Sequence, residues 1–293
     1  MCVCIRTASR VRFLTAAIVA LLTLTEVVVA AGPSSLKDLA TTTHIHGISV
    51  DRGDPDYLLI ATHHGLFRAA PDGRTQLISI VQDFMGFTPH PTDDDVLFAS
   101  GHPPEGANLG FVISNDAGKT WTQLSEGLDG PADFHKLAVG APDNATVYGV
   151  YKGLQRSRDG GRSWEIAGPG PSRLVDLAAS GRERDTLYAA TETGLLVSRD
   201  AGGSWKPLLD AIPVTMVAAT LRGDLYAFVY GQGLMHSMEG TSNWIRIGGS
   251  WGEQFFLDMA IDPNDPLRIF AATGNGQILA SKDGGETWVP FGQ

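Results

Sequence analysis

The chain has 293 residues, and its 32 Asp and Glu outweigh 22 Lys and Arg for a formal net charge of −10. A surface this acidic repels phosphate backbones and attracts cations, which excludes nucleic acid as a partner. The two cysteines, Cys2 and Cys4, stand at the extreme N-terminus, so disulfides, iron–sulfur clusters and a cysteine nucleophile are excluded from the body of the chain.

Residues 1–31 read as an export signal. Arg6, Arg10 and Arg12 supply a positive start, Phe13 to Leu24 is an apolar stretch, and Val28-Val29-Ala30-Ala31 offers small-residue cleavage points before Gly32 and Pro33. The alternative is an uncleaved membrane anchor, because apolar character resumes after Glu26. A carboxylate in hydrocarbon is costly, which favours cleavage. Neither cysteine follows the apolar stretch, so lipid modification at the cleavage site is not expected. The mature chain is therefore expected to be thiol-free, more acidic still, and periplasmic or extracellular. It would meet a membrane only through an uncleaved N-terminal segment.

Residues 40–293 are expected to form one closed unit. Four near-copies of one motif punctuate them: Ser114-Asn-Asp116-Ala-Gly118-Lys-Thr-Trp121, Ser157 to Trp164, Ser198 to Trp205 and Ser281 to Trp288, with a degenerate fifth from Ser237 to Trp244. The five tryptophans lie 43, 41, 39 and 44 residues apart, and a fixed period near 40 marks a stacked or closed repeat architecture.

Each period consists of short apolar strands separated by Gly, Asp, Asn and Pro, the pattern of antiparallel sheet. In the third period Asp133 to Val139, Thr146 to Tyr151, Gly153 to Ser157 and Trp164 to Ala167 read as strands one to four. Tyr57 to Thr62, Val96 to Ser100, Thr186 to Thr191, Leu225 to Tyr230 and Arg268 to Thr273 take the place of strand two in the other periods. Six such units fit between His44 and Phe291, with no room for helices. The fold class is all-β, a six-bladed β-propeller of four-stranded antiparallel blades whose first strands line a central channel. The repeated motif falls between strands three and four and suits a tight turn, with Gly at positive φ and Asp accepting turn amides. The first period keeps only Asp72-Gly73 of it, and the second lengthens a loop as Pro103-Pro104-Glu105-Gly106-Ala107-Asn108.

This motif resembles the Asp-box, or BNR repeat, of sialidases, sortilin-type receptor propellers and photosystem assembly-factor propellers. Together with His44-Ile45-His46-Gly47, Thr62-His63-His64-Gly65-Leu66-Phe67 and Ser100-Gly101-His102-Pro103, it is similar to exported bacterial propellers labelled glycosylhydrolase-like. The resemblance implies the propeller fold and says little about activity.

Ligand sites are expected where loops converge on a concave mouth. Anchoring the first strands on Ile48, Phe87, Leu137, Leu177, Val217 and Met259, the residues two earlier are His46, Met85, His135, Val175, Thr215 and Leu257. Four earlier stand His44, Asp83, Asp133, Arg173, Pro213 and Phe255. Strand alternation is expected to point both columns to one side. Blades one to three thus carry the polar groups, and the loops add His63, His64 and His102. His44, His46, His63, His64, His102, His135, Asp83, Asp133 and Met85 are the expected ligand-binding residues. His90 and His236 are expected on the surface, away from them.

Imidazoles and carboxylates converging in an acidic chain form a candidate metal site, with His44, His46, Met85 and His135 as its expected ligands. Met with His favours copper, and Asp with His also suits zinc. Histidines that only bond to loop carbonyls are the competing reading. A sialidase-type active site needs an arginine cluster, an acid and a Tyr–Glu nucleophile. Only Arg173 fits the first of these, and the Arg-Ile-Pro signature is absent. A two-carboxylate glycoside hydrolase remains the alternative function, with Asp83 and Asp133 as catalytic candidates and Asp176, Asp258 and Glu192 behind them. A third class is protein recognition through Phe84, Phe134, Phe255, Phe256, Trp251 and Tyr230; the competing reading is core packing between blades, and Phe84 and Phe134, lying between the aligned polar positions, are expected to pack against neighbouring blades. The reading that emerges is an exported binding or assembly propeller with a histidine-rich mouth. Its partner is a protein or a small-molecule or glycan ligand.

Overall fold

A computed structural model describes residues 32–103, 105–210 and 212–293. The expected export segment, residues 1–31, lies outside the described residues. No helix among the described residues is long and apolar enough to cross a membrane.

Twenty-four strands form six four-stranded antiparallel sheets, each built from strands consecutive in the chain. Blade one comprises Ile45–Val50, Leu58–Thr62, Gly65–Ala69 and Thr75–Leu77. Blade six comprises Phe256–Ile261, Ile269–Thr273, Ile278–Ser281 and Val289–Pro290. The first strands of blades two to five are Met85–Pro89, Lys136–Val139, Leu174–Ala179 and Val214–Ala219. Each first strand contacts the next around a ring, and blade six returns to blade one. The chain is a six-bladed β-propeller.

Two features depart from the periodic reading. A helix, Leu36–Thr42, precedes blade one, N-capped by the Ser35 hydroxyl, which accepts the Asp38 N–H at 3.1 Å. It lies outside the repeat, so periodicity carries no sign of it. Its Leu39 is fully buried among Ile45, Leu58 and Phe67 of blade one and Phe270 and Ile278 of blade six. The Leu36 N–H donates to the Gly73 carbonyl at 2.9 Å, so the helix is fastened across the seam where the ring closes. The first strand of blade three also starts three residues later than expected. The Phe134 N–H donates to the Ser100 hydroxyl of blade two at 2.8 Å, which commits Asp133, Phe134 and His135 to the junction between blades.

A bulge recurs at the start of the first strands. In blade one Ile45 pairs with Thr62 and Gly47 with Ala61, leaving His46 as the extra residue. Blades four, five and six shift between Leu174 and Asp176, Val214 and Met216, and Phe256 and Asp258. A bulge breaks the two-residue alternation and re-aims side chains. The expected alignment of the columns two and four before the anchor is corrected accordingly. The residues one before it, Lys136, Asp176 and Asp258, line the channel beside the anchors and His46.

The repeated turns share one hydrogen-bond pattern. In the third blade the Asp159 carboxylate accepts the Ser157 hydroxyl at 2.7 Å, the Ser163 N–H at 2.9 Å and the Ser163 hydroxyl at 2.6 Å. The Ser157 oxygen in turn accepts the Gly161 N–H at 2.8 Å. The equivalent carboxylates Asp200 and Asp283 are held down near 2 by the same bonds, the hydroxyl of Ser204 or Thr287 contributing most. Gly161, at φ +91°, lies directly against the Phe111 ring of the preceding blade, so the turn also sets blade spacing. Phe134 on Trp164 (4.7 Å between ring centres), Phe84 on Trp121 (4.6 Å) and Phe256 on Trp288 (5.2 Å) fill the blade cores.

Gly161 and Gly231 both occupy positive φ, but a Cβ on Gly231 meets nothing within 4 Å. Alanine costs about 1 kcal/mol for the backbone at either position, and overpacking against Phe111 adds roughly 1 to 3 kcal/mol at Gly161 alone. Urea unfolding is expected to rank Gly161→Ala well below Gly231→Ala in stability; equal losses contradict the spacing role of the turn.

Candidate functional site

The six anchors, Ile48, Phe87, Leu137, Leu177, Val217 and Met259, line a central channel of about 450 Å³. His46 and, next to the anchors in the chain, Lys136, Asp176 and Asp258 share that lining.

At the mouth between blades one and two, imidazoles surround one carboxylate. Asp83 is 4 % exposed. Its Oδ2 lies 2.8 Å from His63 Nδ1 and 3.3 Å from His102 Nε2, and its Oδ1 lies 3.4 Å from His46 Nε2. His46 Nε2 and His63 Nδ1 are 3.1 Å apart. The His44 ring, exposed, stands 5.4 Å from that of His63. His46 is the bulge residue, His63 and His102 come from loops joining second and third strands, and Asp83 immediately precedes blade two. Two backbone bonds hold the loops in register: the Asp83 N–H donates to His102 O at 3.2 Å and the Phe84 N–H to Thr62 O at 3.1 Å. Burial pushes the His46 imidazole down to about 4; Asp83 opposes the shift, and His63, His44 and Lys136 add to it. His46 is therefore neutral at pH 7, and its contact with Asp83 is not an ion pair.

The remaining expected residues lie elsewhere. His135 pairs with Asp133 at 3.0 Å, an isolated dyad in which Asp133 Oδ1 is buried without a hydrogen-bond partner among the described residues. Three donor atoms from His46, His63 and Asp83 all lie within 4.8 Å of one another, a set that includes neither His44 nor His135 of the expected metal ligands. Met85 opens the first strand of blade two opposite Ser100. His64 is exposed. Glu192 forms a surface pair with Arg173 at 3.1 Å. His236 is half-buried against Tyr226 and bonded to Asp224 at 3.0 Å, correcting its expected surface position. As expected, packing between blades claims Phe84 and Phe134. Phe84, Phe134 and Phe256 are fully buried in the blades, and only Tyr230 of the aromatic candidates is largely exposed.

Lys136 was not among the expected site residues. Its Nζ pairs with Asp176 Oδ1 at 3.0 Å. Burial alone would lower the ammonium, but Asp176 and Asp258 outweigh it and the group is raised. Asp176 Oδ2 accepts the Val217 N–H at 3.0 Å. Asp258 accepts the N–H of Ile48 at 2.7 Å and of Met259 at 2.8 Å. Burial and the Asp176 charge push Asp258 up to about 7, with Lys136 and those two N–H groups opposing. Only a column shared by Gly47, Gly86, Lys136, Asp176, Met216 and Asp258 marks these residues in the sequence, and strand alternation hides it.

No protein-family model matches the chain. The Photosystem II assembly lipoprotein Ycf48 of Synechococcus sp. (strain CC9902) is 25% identical over 195 residues, covering 61% of this chain and 55% of the lipoprotein. Among solved structures, a GH74 enzyme of Niastella koreensis is similar with a TM-score of 0.62 and 17% identity, covering 89% of this chain and 46% of the enzyme. A structure of Ycf48 bound to D1 peptide has a TM-score of 0.50 and 19% identity, covering 85% of this chain and 82% of that one. The chain spans about half the length of the curated relative and of the GH74 enzyme, and the structural likenesses are likenesses of fold.

Because Asp258 holds a proton near neutrality that the unfolded chain releases near pH 4, its contribution to stability falls as pH rises from about 4 to about 7 and then levels. Lys136→Met leaves Asp176 and Asp258 buried together without their cation, at a cost of about 3 kcal/mol or more. The levelling point should also move to higher pH. Urea unfolding between pH 5 and 9 measures both; an unchanged midpoint and pH profile contradict the coupling.

Proposed function

We propose that the chain is an exported Asp-box propeller that acts as a binding or assembly protein, with the histidine-rich mouth as its ligand site. The observation that carries this reading is the convergence of His46, His63 and His102 on buried Asp83, with His44 beside them. The Ser-to-Asp turn geometry supports the Asp-box reading, and the N-terminal residues 1–31 support export. Similarity to an assembly lipoprotein, and to a fold recorded with a bound peptide, supports a protein segment as the ligand. Ile80 and Val81, 62% and 55% exposed, stand three and two residues ahead of Asp83 and offer apolar surface for such a segment.

Glycoside hydrolysis is the second reading, favoured by the unlike Asp176 and Asp258 carboxylates in the channel. It ranks lower because every candidate carboxylate already has donors: Asp83 and Asp133 have imidazoles, and Asp176 and Asp258 have Lys136 or backbone N–H groups. Turnover of aryl glycosides that disappears in Asp83→Asn or Asp133→Asn reverses the ranking.

Two measurements test the first reading. The N-terminus of the protein recovered from its native host should fall near residue 31, determined by mass spectrometry; an intact Met1 in all of it refutes cleavage. A photo-crosslinking residue at Ile80 should capture a discrete partner in that host, whereas one at Ile166, exposed on a fourth strand, should not. Equal labelling at both positions refutes the mouth as the binding face.

A further inference from the structure

We infer that the mouth between blades one and two binds one divalent transition-metal ion of the zinc class, through His46 Nε2, His63 Nδ1 and an Asp83 carboxylate oxygen, with His102 Nε2 as the fourth donor. The inference rests on the reading of this mouth as the ligand site and names its ligand.

Neutral imidazoles alone do not satisfy the cluster. His102 Nδ1 lies 3.2 Å from the Pro103 carbonyl, which can only accept, so the proton of a neutral ring sits on Nδ1. Nε2 then turns a lone pair toward the Asp83 oxygen 3.3 Å away, two acceptors face to face. His63 Nδ1 meets Asp83 Oδ2 and His46 Nε2 at once, and a single proton there serves only the carboxylate. Asp83 Oδ1 is buried and has no hydrogen-bond partner among the described residues, a costly arrangement for a carboxylate. A cation among these atoms gives every lone pair a partner.

The dimensions suit such an ion. Metal–donor bonds of about 2.0 to 2.1 Å in a tetrahedron place donors about 3.3 Å apart; His46 and His63 nitrogens are 3.1 Å apart, the imidazole contacts to the two Asp83 oxygens run from 2.8 to 3.4 Å, and one donor atom each from His46, His63 and Asp83 lie within 4.8 Å of one another. The bond from His102 Nδ1–H to a backbone carbonyl is the arrangement that orients and sharpens a metal-ligating imidazole. Imidazole with carboxylate and no thiolate or thioether fits zinc, and copper(II) would compete for the same donors with higher affinity. Access is open, because the His63 and His102 side chains are 41% and 48% exposed while Asp83 anchors them from below.

The full chain, stripped with a chelator and dialysed against zinc chloride, should retain one equivalent by elemental analysis, with a melting temperature that rises with zinc concentration. His63→Ala and His102→Ala remove exposed rings and should keep the fold while weakening zinc about 100-fold or more, since even outer-shell changes cost 10- to 100-fold. Asp83→Asn should do the same, and His236→Gln should leave affinity unchanged. Displacement of the bound zinc by one equivalent of copper(II) supports the same donor set. Retention of neither ion, or zinc affinity indifferent to the mouth variants, overturns the inference. If no ion is retained while Ile80 still crosslinks its partner, the metal assignment falls alone. If zinc is retained while crosslinking fails, the partner reading falls alone.

Discussion

Closing the ring is the constraint on which the rest depends. Among the described residues no strand is shared between the first and last blades, since each sheet uses four consecutive strands, so side chains must join blade six to blade one. Asp258 does so from within the channel by accepting the Ile48 N–H at 2.7 Å. On the outside, the helix Leu36–Thr42 inserts Leu39 between Phe67 and Phe270. The inner bond uses a buried carboxylate, whose desolvation is offset by two backbone donors and by Lys136. Truncating a member of such a set leaves charge buried without a partner, so it contributes far more than a surface pair would.

That closure also places the histidine cluster. Ile48 lies two residues beyond His46, so the strand held by blade six is the one whose bulge turns His46 inward. Blade two then meets blade one where the Phe84 N–H donates to Thr62 O, and the Asp83 N–H donates to His102 O within its own blade, so two backbone bonds fix Asp83 in place. The donors of the mouth are thus contributed by two blades, each locked to a neighbour. A site built on strand ends and tight loops of rigid sheets is held to the precision that metal coordination demands.

In the column before the anchors, blades one and two carry Gly47 and Gly86 where blades three, four and six carry the channel-lining Lys136, Asp176 and Asp258. On the glycine side the wall is backbone packed against Phe87 and Leu137. The charged trio serves chiefly as mortar between blades, because Asp176 and Asp258 each bond to the strand of the next blade. The histidines at the mouth have no comparable structural employment, which separates them from the trio as a ligand site.

Sequence alone determined the six-bladed architecture and the crowding of histidines into the first three blades. Both follow from local rules: turn chemistry repeats with the Ser, Asp, Gly and Trp of each period, and apolar strands recur with them. It also placed Asp83, His46, His63 and His102 in one neighbourhood through the alignment of blades. Tertiary structure decided which of these meet. A one-residue bulge, invisible to a period of two, put Asp176 and Asp258 on the channel wall and turned His46 toward Asp83, the late start of blade three's first strand put Lys136 beside them, and blade packing took Phe256 into the core. His135 went to Asp133 because the Phe134 N–H was claimed by Ser100 of the neighbouring blade. Such outcomes depend on contacts between residues tens to hundreds of positions apart, and no local pattern encodes them.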